Sequence, residues 1–184
     1  MTILASRAQL RASLVRWALF FVPVVLLLGF LSGKLAGSSA ENPWFAMLRK
    51  PDLYPPPETF AIAWTVLYVM IGFAAALVAS AWGARGRSLA LALFVAQLVL
   101  NLAWSPLFFA MHRIGAAFYL LLLLDLVALA TVIAFWRVRM QAGLLLVPYM
   151  AWLLFATVLN WQVLQLNPQA DGTDYSGAVQ RIEL

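Results

Sequence analysis

Two short runs of this sequence place amides, phenols and indoles at helical spacing. Gln97, Asn101, Trp104 and Phe108 recur at i, i+4, i+7 and i+11, and Tyr149, Trp152, Ala156 and Asn160 recur at i, i+3, i+7 and i+11. Trp64 and Tyr68 lie one turn apart. At 3.6 residues per turn each set forms one stripe along a helix. The chemistry on offer is recognition. Indole and phenol faces build flat apolar walls, and a few amides orient whatever lies between them. The same amides could instead tie helices together by hydrogen bonds. For the amides alone the two readings stand level; the clustered aromatics tip the balance toward a pocket.

Catalysis has little to work with. The chain has no cysteine, which excludes a disulfide, a thiolate nucleophile and a cysteine-based metal site. The one histidine, His112, sits beside Arg113 at a span end and reads as a solvated cap, with haem-iron ligation the remote alternative. No acid–base pair or metal-ligating cluster is suitably spaced, so no catalytic residue and no metal ligand is assigned. Asp125 stands in mid-span with no basic residue at its depth. It must be protonated, exposed to water in a cavity, or paired with an amide, and is a further candidate for the pocket.

The elements that position these residues are membrane spans. The chain is 65% hydrophobic and 10% charged, with a mean hydropathy of +0.91, against about 25% charged residues in soluble domains. Its net charge of +5 comes from basic residues scattered singly or in pairs, which suits membrane loops and not nucleic acid. Five stretches are long and apolar enough to cross a bilayer: 17–36, 60–82, 88–111, 114–136 and 142–166. None alternates as a barrel strand would. The expected fold is an all-α membrane protein, a single five-helix transmembrane bundle over 17–166, preceded by a basic arm at 1–16 and followed by a polar tail at 167–184.

Connections between spans are unequal. Three are short, which makes their helices antiparallel neighbours. The first, 37–59, is long and contains "RKPDLYPPPE", whose four prolines between Pro51 and Pro57 forbid a continuous helix. A loop of that length in a compact protein is more often functional than slack. Pro23, Pro106 and Pro148 should each kink a span and free a carbonyl. The tail after Pro168 is polar and aperiodic and is expected to lack order. The first span, with arginines before it and "AGSSA" after it, has a signal peptide as its rival reading; the arm before it could also lie along the membrane, with Arg7 and Arg11 one turn apart.

Seven basic residues (Arg7, Arg11, Arg16, Arg85, Arg87, Arg137 and Arg139) fall on one side, and five, mixed with all the loop and tail acids, on the other. By the positive-inside rule the N-terminus is cytoplasmic, and the first loop and C-terminus lie outside. Trp17, Trp82 and Trp136 end their spans near arginines and read as interfacial anchors. Trp161 lies off the Tyr149–Asn160 stripe and is assigned to packing or the interface. Ser88, Ala92 and Ala96 form a small-xxx-small face suited to close helix approach, and hence to a homodimer.

These residues resemble the TspO family of tryptophan-rich sensory proteins, whose mitochondrial members are called translocator protein or peripheral benzodiazepine receptor. "KPDLYPP", then Phe60 and "AWTVLY", is similar to that family's first loop and second helix; "QLVLNLAWSPLFF" resembles its third helix, and "LLLVPYMAWLLFATVLNW" its fifth. The likeness runs from about Pro43 to Pro168. It implies a five-helix bundle, usually dimeric, that binds flat hydrophobic ligands beneath the first loop with no obligatory cofactor. Family ligands include protoporphyrin IX and haem, cholesterol in animal members, and drugs of the isoquinoline carboxamide class. The family's pocket tryptophans fall on Trp64 and Trp152, its third-helix asparagine and aromatic on Asn101 and Trp104, and its fifth-helix asparagine on Asn160. The lid would comprise Trp44, Phe45, Arg49, Lys50 and Pro51, with Arg49 and Lys50 as cations for porphyrin propionates. Departures occur at Leu53 and Glu58, where tryptophan is frequent, and at Phe45, where tyrosine is frequent. The cholesterol motif is absent after the fifth span. A sensor or carrier is the leading expectation. Light-dependent tetrapyrrole degradation is the alternative, and five helices count against an inverted-repeat transporter.

Overall fold

The computed structural model describes residues 6–173. Among the described residues six α-helices form, and the five long ones are apolar and long enough to cross a membrane. Helix α1 spans Arg7–Leu35, α2 Pro43–Met47, α3 Pro57–Ala79, α4 Arg87–Ser105, α5 Ile114–Val138 and α6 Met140–Leu166. No strand occurs among the described residues. The long helices form a ring in the order α1, α3, α6, α5, α4, with the closest packing between α5 and α6 and between α1 and α3.

Most boundaries follow from local chemistry. Helix α1 begins ten residues before the expected span, because Ser6 and Gln9 close a capping box that satisfies its first free amides. The arm from Arg7 onward is therefore the first turns of α1 and not a separate extension. Helix α3 begins at Pro57, where the missing N–H costs nothing and the proline φ suits a first turn. Helix α1 lies against α3 where Gly72 meets the backbone of Phe21 and Val22; a Cβ at Gly72 would come within 2.7 Å of the Val22 Cα.

Proline shapes the third span in a specific way. After α4, Pro106–Ala110 form a π-turn, with the Met111 N–H reaching the Pro106 carbonyl at 3.0 Å. Pro106 has no N–H for the Leu102 carbonyl four residues earlier. The Ser32 hydroxyl of α1 takes that carbonyl instead, at 2.6 Å.

One end of the bundle is capped. Within the first loop, α2 is held by the Asn42 side chain, which accepts from the Phe45 N–H. It buries Trp44, Phe45 and Leu48 against Phe108, Phe109, Ile114, Ala117 and Val163. The C-terminal stretch differs from its expectation. Residues 168–170 make a 3₁₀ turn, Ala170 is buried, and the segment is ordered through Thr173. Side-chain hydrogen bonds, invisible to hydropathy, provide that order. The remainder of the expected tail, 174–184, lies outside the described residues.

Candidate ligand-binding site

The bundle interior is a chain of polar bonds. Tyr68 donates to the Asn101 Oδ1 at 3.2 Å, Asn101 Nδ2 donates to the Tyr149 hydroxyl at 3.3 Å, and Tyr149 donates to the Gln97 Oε1 at 2.7 Å. All four side chains are buried. This joins α3, α4 and α6 within their apolar spans, where an unpaired amide or phenol would be costly. Nearer the lid, Trp104 donates to the Asn160 Oδ1 at 3.2 Å, and Asn160 Nδ2 donates to the Ile114 carbonyl at 3.0 Å. Most of these polar contacts run from one side chain to another, and the Asn160 amide also reaches a backbone carbonyl.

The aromatics form a ladder descending from the lid. Ring centroids are 5.9 Å apart from Phe45 to Tyr54, 5.2 Å from Tyr54 to Phe60 and 5.8 Å from Phe60 to Trp152. The ladder continues 6.4 Å from Trp152 to Trp64, which stacks on Tyr68 at 5.1 Å. A second set joins Trp44 to Phe108 at 5.5 Å and Phe108 to Trp104 at 5.1 Å. Trp64, Trp104, Trp152 and Ala156 are only partly buried. Burial in the first loop pushes the Tyr54 phenol up to about 12.

Trp152 differs from the other stripe residues. Its Nε1 is buried without a hydrogen-bond partner. Its ring lines a cleft of about 650 Å³ together with Ala63, Val66 and Leu67 of α3 and Pro148, Ala151 and Phe155 of α6. The cleft opens outward between the two helices, and its lining is almost wholly apolar. Pro148 is exposed there and Ala63 and Ala151 are small, so the walls part. A second cleft, of about 450 Å³, lies toward the opposite end between Leu14 of α1, Phe73 of α3 and Leu144 of α6.

The lid residues divide. Trp44 and Phe45 are buried, Pro51 is partly buried, and Arg49 and Lys50 are exposed. Lys50 turns back on α2, where its ammonium donates to the Phe45 carbonyl at 3.2 Å and lies 4.5 Å from the Phe45 ring centre. His112 is not a solvated cap. It stacks on Trp44 at 4.4 Å, adopts a left-handed φ of 55°, and its Nδ1 lies 3.2 Å from the Thr173 carbonyl. Among the described residues no group of three or more His, Cys, Asp or Glu could hold a metal.

Asp125 pairs with a hydroxyl and not an amide: Thr157 of α6 donates to its Oδ2 at 2.8 Å, while Oδ1 is buried without a partner. The three anchor tryptophans lie at or near the surface. Trp82 is 69% exposed with the Arg87 guanidinium 4.3 Å from its ring centre, Trp136 is exposed, and Trp17 is partly buried. Trp161 is also exposed. Ser88, Ala92 and Ala96 all face outward from the single chain.

Sequence reasoning missed Tyr54 and Phe60 as rungs of the ladder, Ala63, Ala151 and Phe155 in the cleft, and Asn167. The Phe60–Trp64 spacing of one turn was a usable signal for the second rung. No sequence pattern marks Asn167, which pairs with both Arg49 peptide groups in the first loop and with the Val163 carbonyl of α6.

The five spans, the long first loop and the tryptophan-bearing α3 and α6 have counterparts among known proteins. The family model described as TspO/MBR family matches residues 21–166. The chain is 34% identical to "Protein CrtK" of Rhodobacter capsulatus, over 85% of this chain and 95% of that protein. It is 41% identical to "Tryptophan-rich protein TspO" of Chlorobaculum tepidum, over 68% and 80% respectively. The human "Translocator protein" is 39% identical over 67% of this chain and 75% of its own length. Five apolar helices in this arrangement, matched along most of their length, make the chain a multi-pass integral membrane protein of the TspO/MBR family.

Proposed function

We propose that this protein is a membrane sensor or carrier for flat hydrophobic ligands of the tetrapyrrole class, such as protoporphyrin IX or haem. The ring system would lie against the Phe60–Trp152–Trp64 aromatics beneath the first-loop lid, with Arg49 at the mouth for an acidic side chain. The observation that supports this most is Trp152. It is the stripe residue whose polar atom is buried without a partner and whose ring borders an open apolar cleft. Indole faces with sparse polar contacts suit a planar conjugated ligand. The ligand is cargo or signal and not an obligatory cofactor, and the reading involves no nucleic acid.

Two further parts belong to this reading. The exposed Ser88, Ala92 and Ala96 face is the seam of a homodimer within the lipid bilayer. The N-terminus is cytoplasmic, and the lid end faces the opposite side.

Titrating the detergent-purified protein with protoporphyrin IX while following tryptophan quenching tests the site. Trp152→Leu and Trp64→Leu should each weaken binding about tenfold, equivalent to about 1.4 kcal/mol, whereas Trp17→Leu should stay within about twofold of wild type. Equal losses in all three would sink the assignment. Bleaching of the porphyrin band in light but not in darkness would favour photodegradation over simple binding.

A further inference from the structure

The first loop is held down from outside itself. Asn167, just past the end of α6, accepts from the Arg49 backbone N–H at 2.8 Å through Oδ1. Its Nδ2 donates to the Arg49 carbonyl and to the Val163 carbonyl, both at 2.8 Å. The side-chain amide thus stands in for a neighbouring peptide, giving a loop residue both partners that a regular strand or helix would supply. The two residues are 118 positions apart.

Asn167 is itself braced. The 3₁₀ turn at Pro168–Ala170 follows it, and the Asp171 carboxylate then accepts from the Gly115 N–H at 3.2 Å, near the start of α5. Gly172 donates its N–H to the His112 carbonyl at 2.8 Å, and its φ of 74° suits a residue without a Cβ. Segment 167–173 therefore straps the end of α6 to the start of α5 and to the lid.

The strap acts on one of the two lid cations. The Lys50 ammonium is engaged with Phe45 within the lid. Arg49 is exposed, and its guanidinium makes no hydrogen bond among the described residues, while its backbone is fixed on both sides. A fixed backbone lowers the entropy lost when a long side chain engages a ligand. A guanidinium also meets a carboxylate through two parallel bonds, which rewards correct placement more than a point charge does.

We propose that Asn167 is a positioning residue for anion recognition: by pairing with both peptide groups of Arg49, it presents that guanidinium to a carboxylate borne by a flat apolar ligand. The inference rests on the tetrapyrrole reading above and adds a chemical requirement, namely an acidic substituent on the ligand and a single dominant cation to receive it.

The test compares protoporphyrin IX, which carries two carboxyl groups, with its uncharged dimethyl ester, on the full chain in detergent. For wild type the free acid should bind about tenfold more tightly than the ester. Asn167→Ala should remove most of that preference and leave ester binding within about twofold. Arg49→Gln, at an exposed position where folding is not at stake, should do the same, and the double variant should lose no more than either single one. Equal weakening of acid and ester in Asn167→Ala would overturn the proposal, because a loosened lid would affect both alike. A wild type that binds both compounds equally would overturn it while leaving the tetrapyrrole site standing. Binding of neither compound would overturn the site and this inference together.

Discussion

The stripes on α4 and α6 start from similar ingredients and finish differently. In α4, Gln97, Asn101 and Trp104 each hydrogen-bond a side chain from another helix. In α6, Tyr149 and Asn160 do the same, through Gln97 and Trp104 respectively, but Trp152 between them has no partner for its Nε1 and borders the open cleft. The contrast separates two tasks within one pattern. Side chains that satisfy each other hold the bundle; the Trp152 indole, unsatisfied beside a small-residue gap, is the one on which the proposed ligand site rests.

The strongest way to break this division is to close the gap. Ala151→Phe places a ring in the cleft without touching the polar chain, and should weaken protoporphyrin IX binding about tenfold while the thermal midpoint in detergent holds. A midpoint that falls in step with affinity would mean the cleft wall is structural after all. Next comes the opposite experiment. Tyr149→Phe removes the hydroxyl shared by Gln97 and Asn101 and should cost about 1 kcal/mol of stability, with affinity changed less than about threefold. A large affinity loss without destabilisation would merge the two regions into one site.

The smallest effect concerns the lid rung Tyr54, whose phenol burial pushes up to about 12. With the folded value raised above the ordinary 10, its contribution to lid docking is complete below pH 10. It declines as pH rises through about 12, because the undocked phenol ionises first. The drop in thermal midpoint between neutral pH and pH 11 should therefore be smaller in Tyr54→Phe than in wild type. An identical drop would mean that the Tyr54 phenol is not buried in the folded first loop.

Much of this architecture was legible in the residues. Hydropathy marks the five spans because lipid demands long apolar helices, and the 3.6-residue period marks the buried faces because amides avoid lipid. Helix ends were less legible: the Ser6 capping box carries α1 well past its apolar stretch, and Pro57 starts α3 before its first aromatic. Asn167 and His112 were out of reach, since their partners are backbone groups and a ring brought near only by the completed fold. Within the stripes, residue type showed which side chains turn inward. Whether Trp152 or Trp104 would find an acceptor depended on which helix faced each, and that is settled only when the ring closes.

The Asp125–Thr157 bond also bears on how the chain enters the membrane. A carboxyl at the middle of a lone span costs about 3 kcal/mol to insert, and its donor lies 32 residues further along. Helices α5 and α6 are separated only by Arg139, so they form a hairpin that can cross as a pair. That hairpin is the smallest run of helices that holds both the Asp125 carboxyl and its hydroxyl partner.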